Sequence, residues 1–265
     1  MKLSGKVAIV TGGGGGIGAA LAAGLAQQGA HVVVADLDPV RTGQVAAAVG
    51  GIAVAGDASR VEVLKEMITA AEANFGPVDL FFANAGIGGE AGIGESDEEW
   101  QRILDINLLA HIRAARLLVP GWIERGSGYF VSTASAAGLL TQIAAGPYSV
   151  TKHAAVGFSE WLSVTYGDRG VRVSCICPMG VNTAIHHNAL AADDAASQLG
   201  ANVVAKAGRV LEPEDVAAIT LAAIEEETFL VLPHPEVLEY YRRKGSDYDR
   251  WLAGMRRLQH DAART

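Results

Sequence analysis

A run of five glycines near the start of this 265-residue chain constrains its fold more than any other feature. The run belongs to the sequence TGGGGGIG, which begins at Thr11 between an apolar stretch and an alanine-rich helical pattern. Strand, glycine turn and helix in this order are what a dinucleotide pyrophosphate requires. We expect Gly12 to permit a tight turn, Gly16 to let the backbone approach the phosphates, and Gly18 to allow close packing of helix on strand. A flexible linker is the alternative, but it would not explain the flanking patterns.

Seven short apolar runs alternate with longer helical patterns along the chain: VAIV, HVVVA, GIAVA, VDLFFA, GYFVS, VRVSCI and FLVL. Unbroken apolar runs are typical of parallel strands covered on both faces, and the helices between them make right-handed crossovers. The sequence therefore predicts an α/β, doubly wound Rossmann fold, with a seven-stranded parallel sheet and helices on both faces. Because it contains no repeat or low-complexity linker, residues 1–265 are expected to form a single dinucleotide-binding and catalytic domain.

Four helix starts are marked by local sequence signals. Two sites have the spacing of a capping box: Ser59 with Glu62, and Ser96 with Glu99. Two others place a proline at a plausible first helical position: Pro39 after Asp38, and Pro213 after Glu212.

Composition limits the classes of partner. Half of the residues are hydrophobic and 19% are charged, so a substantial core can be buried. The net charge of -8 argues against a nucleic-acid surface, and no apolar run approaches membrane-spanning length. Cys175 and Cys177 lie in one predicted strand and are interpreted as small core residues rather than a disulfide or a metal pair. We expect a cytoplasmic protein that binds no metal, no membrane and no nucleic acid.

An acidic residue ends the second predicted strand. Asp36 lies eighteen residues after Gly18, where a carboxylate can accept hydrogen bonds from the adenosine ribose and repel a 2′-phosphate. The nearest following cation is Arg41. The sequence therefore favours NAD over NADP as the cofactor. The alternative is that Asp36 merely begins a turn with Asp38.

Four polar residues form a candidate catalytic tetrad. A hydride leaving a carbinol carbon makes the hydroxyl proton acidic, so a base must lie beside the oxygen while a nicotinamide ring covers the carbon. Tyr148 is the candidate base, and Lys152 would share its helix face and stabilise the phenolate. Ser135 would hydrogen-bond the substrate oxygen, and Asn107 completes the set. A Tyr-x-x-x-Lys pair alone is weak evidence, since an amphipathic helix with a solvated lysine gives the same spacing. Its position after a dinucleotide signature strengthens it.

With these motifs, the chain resembles the short-chain dehydrogenase/reductase family, in its compact single-domain branch, from about residue 6 to residue 233. The motifs that carry the resemblance are TGGGGGIG, NAG at Asn84, Asn107, Ser135, and YSVTK from Tyr148 to Lys152. The resemblance implies that Tyr148 is the acid/base and that Ser135 orients the substrate oxygen. It also implies that Lys152 holds the nicotinamide ribose and that Asn107 supports a water in a proton relay.

The same resemblance implies a larger set of cofactor-binding residues: Gly12, Gly16, Ile17, Gly18, Asp36, Asp57, Ala58, Asn84, Gly86, Tyr148, Lys152, Pro178, Val181 and Thr183. Within it, Asp57 would meet the adenine edge, and Val181 and Thr183 would contact the nicotinamide carboxamide. The chain departs from the family pattern at Met179, where the family usually has glycine.

These features predict an NAD-dependent oxidoreductase that interconverts a secondary alcohol and a ketone. Candidate pocket residues near Ile87, over 136–142, and at Met179 and His186 are mostly small or apolar, so the expected substrate is a small uncharged alcohol or ketone. An NADPH-dependent 3-ketoacyl-thioester reductase is the competing enzyme, which Asp36 disfavours. Epimerases and dehydratases of the longer relatives are disfavoured by chain length. The remaining alternative is a catalytically silent NAD-binding interaction module, and the intact tetrad argues against it.

Two segments depart from the regular alternation. Residues 184–208 occupy the place of a substrate lid, where His186 and His187 either touch the substrate or face solvent. The tail, residues 234–265, is expected to be helical. Its apolar side chains recur at helical spacing: Tyr248, Trp251, Leu252, Met255 and Leu258. We expect this stripe to pack on its own chain or across a subunit interface of a homo-oligomer, a tetramer or a dimer.

Overall fold

The computed structural model describes residues 1–264 and contains a seven-stranded parallel sheet. The strands are β1 (Val7–Thr11), β2 (His31–Asp36), β3 (Ile52–Ala55), β4 (Leu80–Ala83), β5 (Gly128–Thr133), β6 (Val171–Ile176) and β7 (Leu230–Val231). Their order across the sheet is β3-β2-β1-β4-β5-β6-β7. The predicted number of strands and their parallel pairing are confirmed.

Helices make up most of the connections between the strands, and two more helices follow β7. They are α1 (Gly16–Gln27), α2 (Pro39–Val49), α3 (Val61–Asn74), α4 (Asp97–Leu104), α5 (Ala110–Arg125), α6 (Gly146–Tyr166), α7 (Ala184–Ala191), α8 (Ala195–Ala207), α9 (Pro213–Glu225), α10 (Glu236–Ser246) and α11 (Tyr248–Ala262). A π-helical turn, Asp105–Leu109, joins α4 to α5. No helix within residues 1–264 is long and apolar enough to cross a bilayer.

Both faces of the sheet are buried, as the unbroken apolar runs predict. On β1, Ala8 and Val10 belong to the core layer that includes α1 and α9. Val7 and Ile9 belong to the opposite layer, with α3, α5 and α6. The strand order changes direction between β1 and β4, and the carboxyl end of a sheet at such a switch point is where α/β proteins bind ligands.

Three of the four predicted helix starts are confirmed. The Ser96 hydroxyl accepts the Glu99 N–H at 3.2 Å and caps α4. Pro39 and Pro213 are the first residues of α2 and α9.

The capping box at Ser59 is wrong. Arg60 is the N-cap of α3, and its side chain makes no capping hydrogen bond. The reason is local, because the Asp57 carboxylate accepts the Ser59 N–H at 2.9 Å and the Asp57 carbonyl accepts the Arg60 N–H at 3.0 Å. Ser59 therefore belongs to a turn stabilised by an aspartate that precedes it.

The predicted tail forms α10 and α11, and Thr265 lies outside the described residues. Met255, Leu258 and Ala262 of α11 pack with Val203 of α8 and with Ile143. The tail thus contacts its own lid segment through α11, while Val237 of α10 packs with Cys175 and Leu230 of the sheet. Tyr248 and Leu252 of the apolar stripe stay exposed.

Candidate active site

The glycine turn leaves β1 and enters α1 in a conformation that side chains would obstruct. Gly12 and Gly16 have φ angles of 64° and 50°, in the left-handed region that favours glycine. A Cβ on Gly18 would lie 2.0 Å from the Gly12 carbonyl oxygen, so only glycine allows α1 to approach β1 this closely. The tight turn and the close packing expected from the sequence are therefore present. The N-cap of α1, Gly15, offers no side-chain cap, and the first turn carries no acidic residue.

Asp36 lies at the carboxyl end of β2, directly beside the glycine turn. Its carboxylate accepts the Gly14 N–H at 3.0 Å through one oxygen and the Asp38 N–H at 3.2 Å through the other. Asp36 therefore begins the turn before α2, as one interpretation predicts, and also contacts the glycine turn. Arg41 forms its ion pair with Asp38, at 2.8 Å, and not with Asp36.

Asn84 joins the carboxyl ends of three neighbouring strands. Its amide nitrogen donates to the Thr11 carbonyl at 3.0 Å, and its amide oxygen accepts the Thr133 hydroxyl at 3.0 Å. The Thr11 hydroxyl in turn accepts the Asn84 N–H at 3.0 Å. These bonds fix β1, β4 and β5 relative to one another at the edge where the predicted site residues meet. Asn84 thereby fixes the positions of Thr11 and Thr133 at the base of the site.

Asn107 is fully buried in the π-helical turn between α4 and α5. Its side chain forms a reciprocal pair with Ile87, accepting the N–H at 2.9 Å and donating to the carbonyl at 2.9 Å. A Cβ on Gly86 would lie 3.2 Å from Asn107 Oδ1 and 3.5 Å from Lys152 Nζ. The NAG segment, Asn107 and Lys152 therefore converge on Gly86, although they are distant in sequence.

Tyr148 and Lys152 lie one turn apart on α6, as their spacing predicts. Lys152 Nζ is 5.6 Å from the centre of the Tyr148 ring and donates to the Thr133 carbonyl at 2.9 Å. Ser135 follows β5, where its hydroxyl donates to the Pro178 carbonyl at 3.3 Å and accepts the Ala137 N–H at 3.1 Å. The bond to Pro178 is long, so this hydroxyl can be redirected to a stronger acceptor.

Burial dominates the titration of the pair on α6. It raises the pKa of Tyr148, while the Ser135 hydroxyl lowers it by a smaller amount. It also lowers the pKa of Lys152 to about 8. For the groups of the chain alone, removing a phenolate from water outweighs the stabilisation that they offer it.

The segment after β6 accommodates Met179 without the glycine that the family usually has. Met179 is not among the residues with positive φ, and its N–H donates to His234 Nδ1 at 3.1 Å. His234 Nε2 lies 2.9 Å from the Arg209 carbonyl, which assigns the ring proton to Nε2. The buried His234 side chain therefore links the backbone at Met179 to the backbone at Arg209. Pro178 precedes it and contacts Ser135 as described above.

The remaining predicted cofactor residues lie along the same edge. A Cβ on Gly16 would lie 3.1 Å from Thr183 Cγ2, so the loop after β6 reaches the glycine turn. Val181 is buried and bridges to Leu211. Asp57 and Ala58 follow β3, and Ile17 packs from α1 onto the core.

The lid histidines differ in their surroundings. His187 Nε2 lies 2.6 Å from Asn182 Oδ1, and the Asn182 amide donates to Glu212, so His187 is engaged at the base of α7. His186 is half-buried, and burial followed by the neighbouring His187 lowers its pKa. Within residues 1–264 no group of three or more His, Cys, Asp or Glu side chains could hold a metal ion. Cys175 and Cys177 are buried free thiols of the core.

Three buried titratable residues near the site were not predicted from the sequence: His111, His234 and Lys244. His111 follows Asn107 by one helical turn and faces Ser132 Oγ at 3.0 Å. Burial and, secondarily, Lys152 lower its pKa to about 3. The available signal was weak, since His111 and His234 belong to no motif and Lys244 directly follows two other cations, Arg242 and Arg243. Their partners lie far away in the sequence.

Comparisons with known proteins place this geometry among related chains. The family described as short chain dehydrogenase matches residues 6–194. Cyclohexanol dehydrogenase of Acinetobacter sp. (strain SE19) is 33% identical over 237 residues, covering 87% of this chain and 92% of that protein. The 2,5-dichloro-2,5-cyclohexadiene-1,4-diol dehydrogenase of Sphingobium indicum is 36% identical over 221 residues, covering 81% of this chain and 88% of that protein.

A solved structure shares the fold over nearly its whole length. It is a short chain dehydrogenase/reductase from Burkholderia phymatum in complex with NAD, with a TM-score of 0.84 and 30% identity. The alignment covers 94% of this chain and 96% of that one.

Proposed function

The chain belongs to the short-chain dehydrogenase family of oxidoreductases, and from that premise we propose that it interconverts a small secondary alcohol and its ketone with NAD, using Tyr148 as the acid/base. One observation carries the proposal. The segments bearing Ser135, Tyr148, Lys152 and Asn107 converge at the carboxyl edge of the sheet, beside the glycine turn. A silent binding module has no need for that convergence.

The residues present fit a dinucleotide. The turn from Gly12 to Gly16 has no side chain that would keep a pyrophosphate from the amino end of α1, and the N-cap residue Gly15 supplies no side-chain cap. The positive end of the helix and its free N–H groups favour an anion. Asp36 would accept the ribose hydroxyls, and Lys152 would hold the nicotinamide ribose. The nicotinamide of NAD would supply the hydride acceptor.

The proton would move through groups on α6 and the Ser135 segment. In alcohol oxidation, the Tyr148 phenolate takes the hydroxyl proton while the Ser135 hydroxyl donates to the same oxygen. Lys152 has a pKa of about 8 and is therefore mainly an ammonium at neutral pH, where it favours the phenolate through space. Because burial raises the pKa of Tyr148, the fraction of Tyr148 that is phenolate at neutral pH depends on further positive charge, which the oxidised nicotinamide would add.

The substrate we propose is an uncharged alicyclic or similar secondary alcohol. The segment after Ser135 is largely apolar, with Leu139 buried and Leu140 partly buried in one core cluster with Met179. The names of the two relatives described above refer to cyclic alcohols of this kind. Both observations favour a small apolar ring over a sugar phosphate.

The first test replaces the base. Tyr148→Phe should lower kcat for NADH formation from cyclohexanol and a graded set of secondary alcohols by at least about two orders of magnitude, the scale of general acid/base catalysis. NAD binding, followed by fluorescence titration, should persist. Tyr166→Phe at the far end of α6 is the matched control and should keep near-normal turnover. Near-normal kcat in Tyr148→Phe would exclude this assignment, and NAD binding without turnover in the wild type would support the silent module.

The second test concerns the cofactor. Wild type should favour NAD in kcat/KM, and Asp36→Ala should narrow the preference because the carboxylate that repels a 2′-phosphate is lost. Asp38→Asn is the control, since the Asp38 carboxylate faces the start of α2 and Arg41. This variant should keep the NAD preference. A wild-type preference for NADP would contradict the role assigned to Asp36.

A further inference from the structure

A lysine of the tail is buried beside the segment that carries Ser135. Lys244 of α10 is 6% exposed, and its Nζ donates to the Leu139 carbonyl at 2.7 Å. The same Nζ lies 3.3 Å from His153 Nε2. His153 Nδ1 is 2.8 Å from the Ser149 carbonyl and therefore carries the ring proton, which leaves Nε2 as an acceptor for the ammonium.

Aromatic rings complete the surroundings of this ammonium. Nζ lies 5.5 Å from the centre of the Tyr248 ring and 5.2 Å from that of Trp251, both on α11. No ion pair joins Lys244 to a carboxylate within residues 1–264. A buried cation is strongly unfavourable unless its surroundings replace water, and here a carbonyl, an imidazole and two ring faces do so.

The two polar partners of Lys244 belong to the two halves of the catalytic site. Leu139 follows Ser135 by four residues, and His153 directly follows Lys152 on α6. Lys244 therefore joins the Ser135 segment to the Tyr148 helix. A lysine paired with a carboxylate on the exposed surface of α10 would contact neither the Ser135 segment nor α6.

The segment that Lys244 holds is strained. We call residues 139–145 the Leu139 loop, and within it Thr141 and Ala144 have φ angles of 122° and 66°. Such angles are unfavourable for residues with a side chain, above all for β-branched threonine, and persist only where neighbouring structure imposes them. The loop is restrained on three sides. Gln142 donates its N–H to Ser149 Oγ at 2.8 Å and its amide to the Gly200 carbonyl at 3.3 Å, and Ile143 packs on α8 and α11.

We propose that Lys244 is a positioning residue that holds the Leu139 loop as the outer wall of the substrate pocket, so that the tail sets the size of alcohol accepted. This inference rests on the proposed dehydrogenase function. The loop lies between Ser135 and Tyr148 in the sequence, and its carbonyl at Leu139 is fixed by the ammonium. Releasing that carbonyl removes one restraint on the strained loop and changes the pocket wall. The glycine turn is built from other elements and stays unchanged.

The experiment compares Lys244→Met with the neighbouring control Arg243→Met. Methionine keeps an unbranched apolar stem but lacks the ammonium, whereas Arg243 is exposed and pairs with Glu239. In Lys244→Met, the ratio of kcat/KM for cyclohexanol to that for a bulky substituted cyclohexanol should change by about tenfold, mainly through KM, with NAD affinity within about twofold of wild type. Arg243→Met should leave the ratio unchanged. Lys244→Arg, which keeps the positive charge and hydrogen-bond donors, should give a ratio closer to wild type than Lys244→Met does.

A second readout separates positioning from a general loss of folded protein. Hydrogen exchange of peptides spanning residues 139–147 should accelerate in Lys244→Met, while β5 peptides keep wild-type exchange. Tyr248→Leu, at an exposed position, weakens the same surroundings and should give a smaller change of the same sign. Equal loss of activity toward all alcohols, or unchanged exchange in the loop, would overturn the inference. If wild type oxidises no alcohol the proposed function fails, and exchange still decides whether Lys244 holds the loop.

Discussion

Buried polar side chains determine the position of the catalytic groups at the residue scale. Asn84, Asn107 and Lys152 each bond to a backbone carbonyl or N–H of another segment. A buried polar group without a partner destabilises the fold by roughly 1–3 kcal/mol, so such bonds favour one arrangement over its alternatives. His111 departs from this pattern, because its Nε2 has no hydrogen-bond partner within the described residues.

His111 should make stability depend on pH. Burial lowers its pKa to about 3 from the usual 6.5, so the unfolded chain binds a proton that the folded chain refuses between these values. Stability should therefore fall as pH falls from 6.5 toward 3, by at most about 1.4 kcal/mol per pH unit from this residue. His111→Gln should show a shallower fall over that range. Urea unfolding of both proteins at pH 7.5, 5.5 and 4.5 measures the difference, and equal slopes would contradict this origin.

Local spacing explains why the tetrad could be predicted and the other buried polar residues could not. Tyr148 and Lys152 are one helical turn apart, so the sequence alone predicts a shared face. The buried Lys244, in contrast, donates a hydrogen bond to the carbonyl of Leu139, which is 105 residues away in the chain. No spacing rule links two such positions. The catalytic roles of the tetrad itself stay predictions, since geometry alone does not test them.

At the scale of elements, apolar runs predicted the strands well because each strand is covered on both faces. The predicted ends of the strands agree less well with the structure, because only two residues of the run FLVL form β7. The π-helical turn at Asn107 was not predicted, since an extra residue in a helical turn leaves no clear sequence pattern. The capping-box prediction is wrong at Ser59 because the carboxylate of Asp57, which lies outside the motif, accepts the Ser59 N–H and forms a turn there.

Two serines provide a matched test of capping. Ser96→Ala should lower the free energy of unfolding by about 1 kcal/mol, because it removes the acceptor for the Glu99 N–H at the start of α4. Ser59 has the same spacing to a following glutamate, but Ser59→Ala removes no cap of α3. Its effect on the free energy of unfolding should therefore stay within about 0.5 kcal/mol. Chemical denaturation at one protein concentration compares them. Equal losses would show that Ser59 caps α3 in solution.

At the scale of the molecule, the tail packs against the segment 184–208 that the sequence predicts as a lid. α11 packs on α8 through Met255 and Leu258, and Tyr240 of α10 donates to the Ala207 carbonyl at 3.3 Å. Within one chain, this packing accounts for much of the apolar stripe that the sequence places in the tail. It leaves a different apolar surface, on α6, without a cover.

That surface is formed by Val150, Trp161 and Val164, which recur on one side of α6 together with Gly157. Val164 is 87% exposed, and Trp161 and Val150 are each about half exposed. Large apolar side chains grouped on one helix face are typical of an association surface. Gly157 meets no atom within 4 Å at its Cβ position and leaves room for a close approach. An interface of this kind between identical helices is satisfied by a two-fold axis.

We therefore predict that the protein is a homo-oligomer whose assembly uses this face of α6. Val164→Glu places a charge at the most exposed position of the face, and burying it in an apolar contact is unfavourable, so the variant should dissociate to smaller species. Val40→Glu on α2 is the matched control, since Val40 is 65% exposed on another side of the molecule. Light scattering after size-exclusion chromatography gives the masses at equal concentration. A monomeric wild type, or an unchanged oligomer in Val164→Glu, would exclude assembly through α6, because the substitution alters no core contact of the subunit.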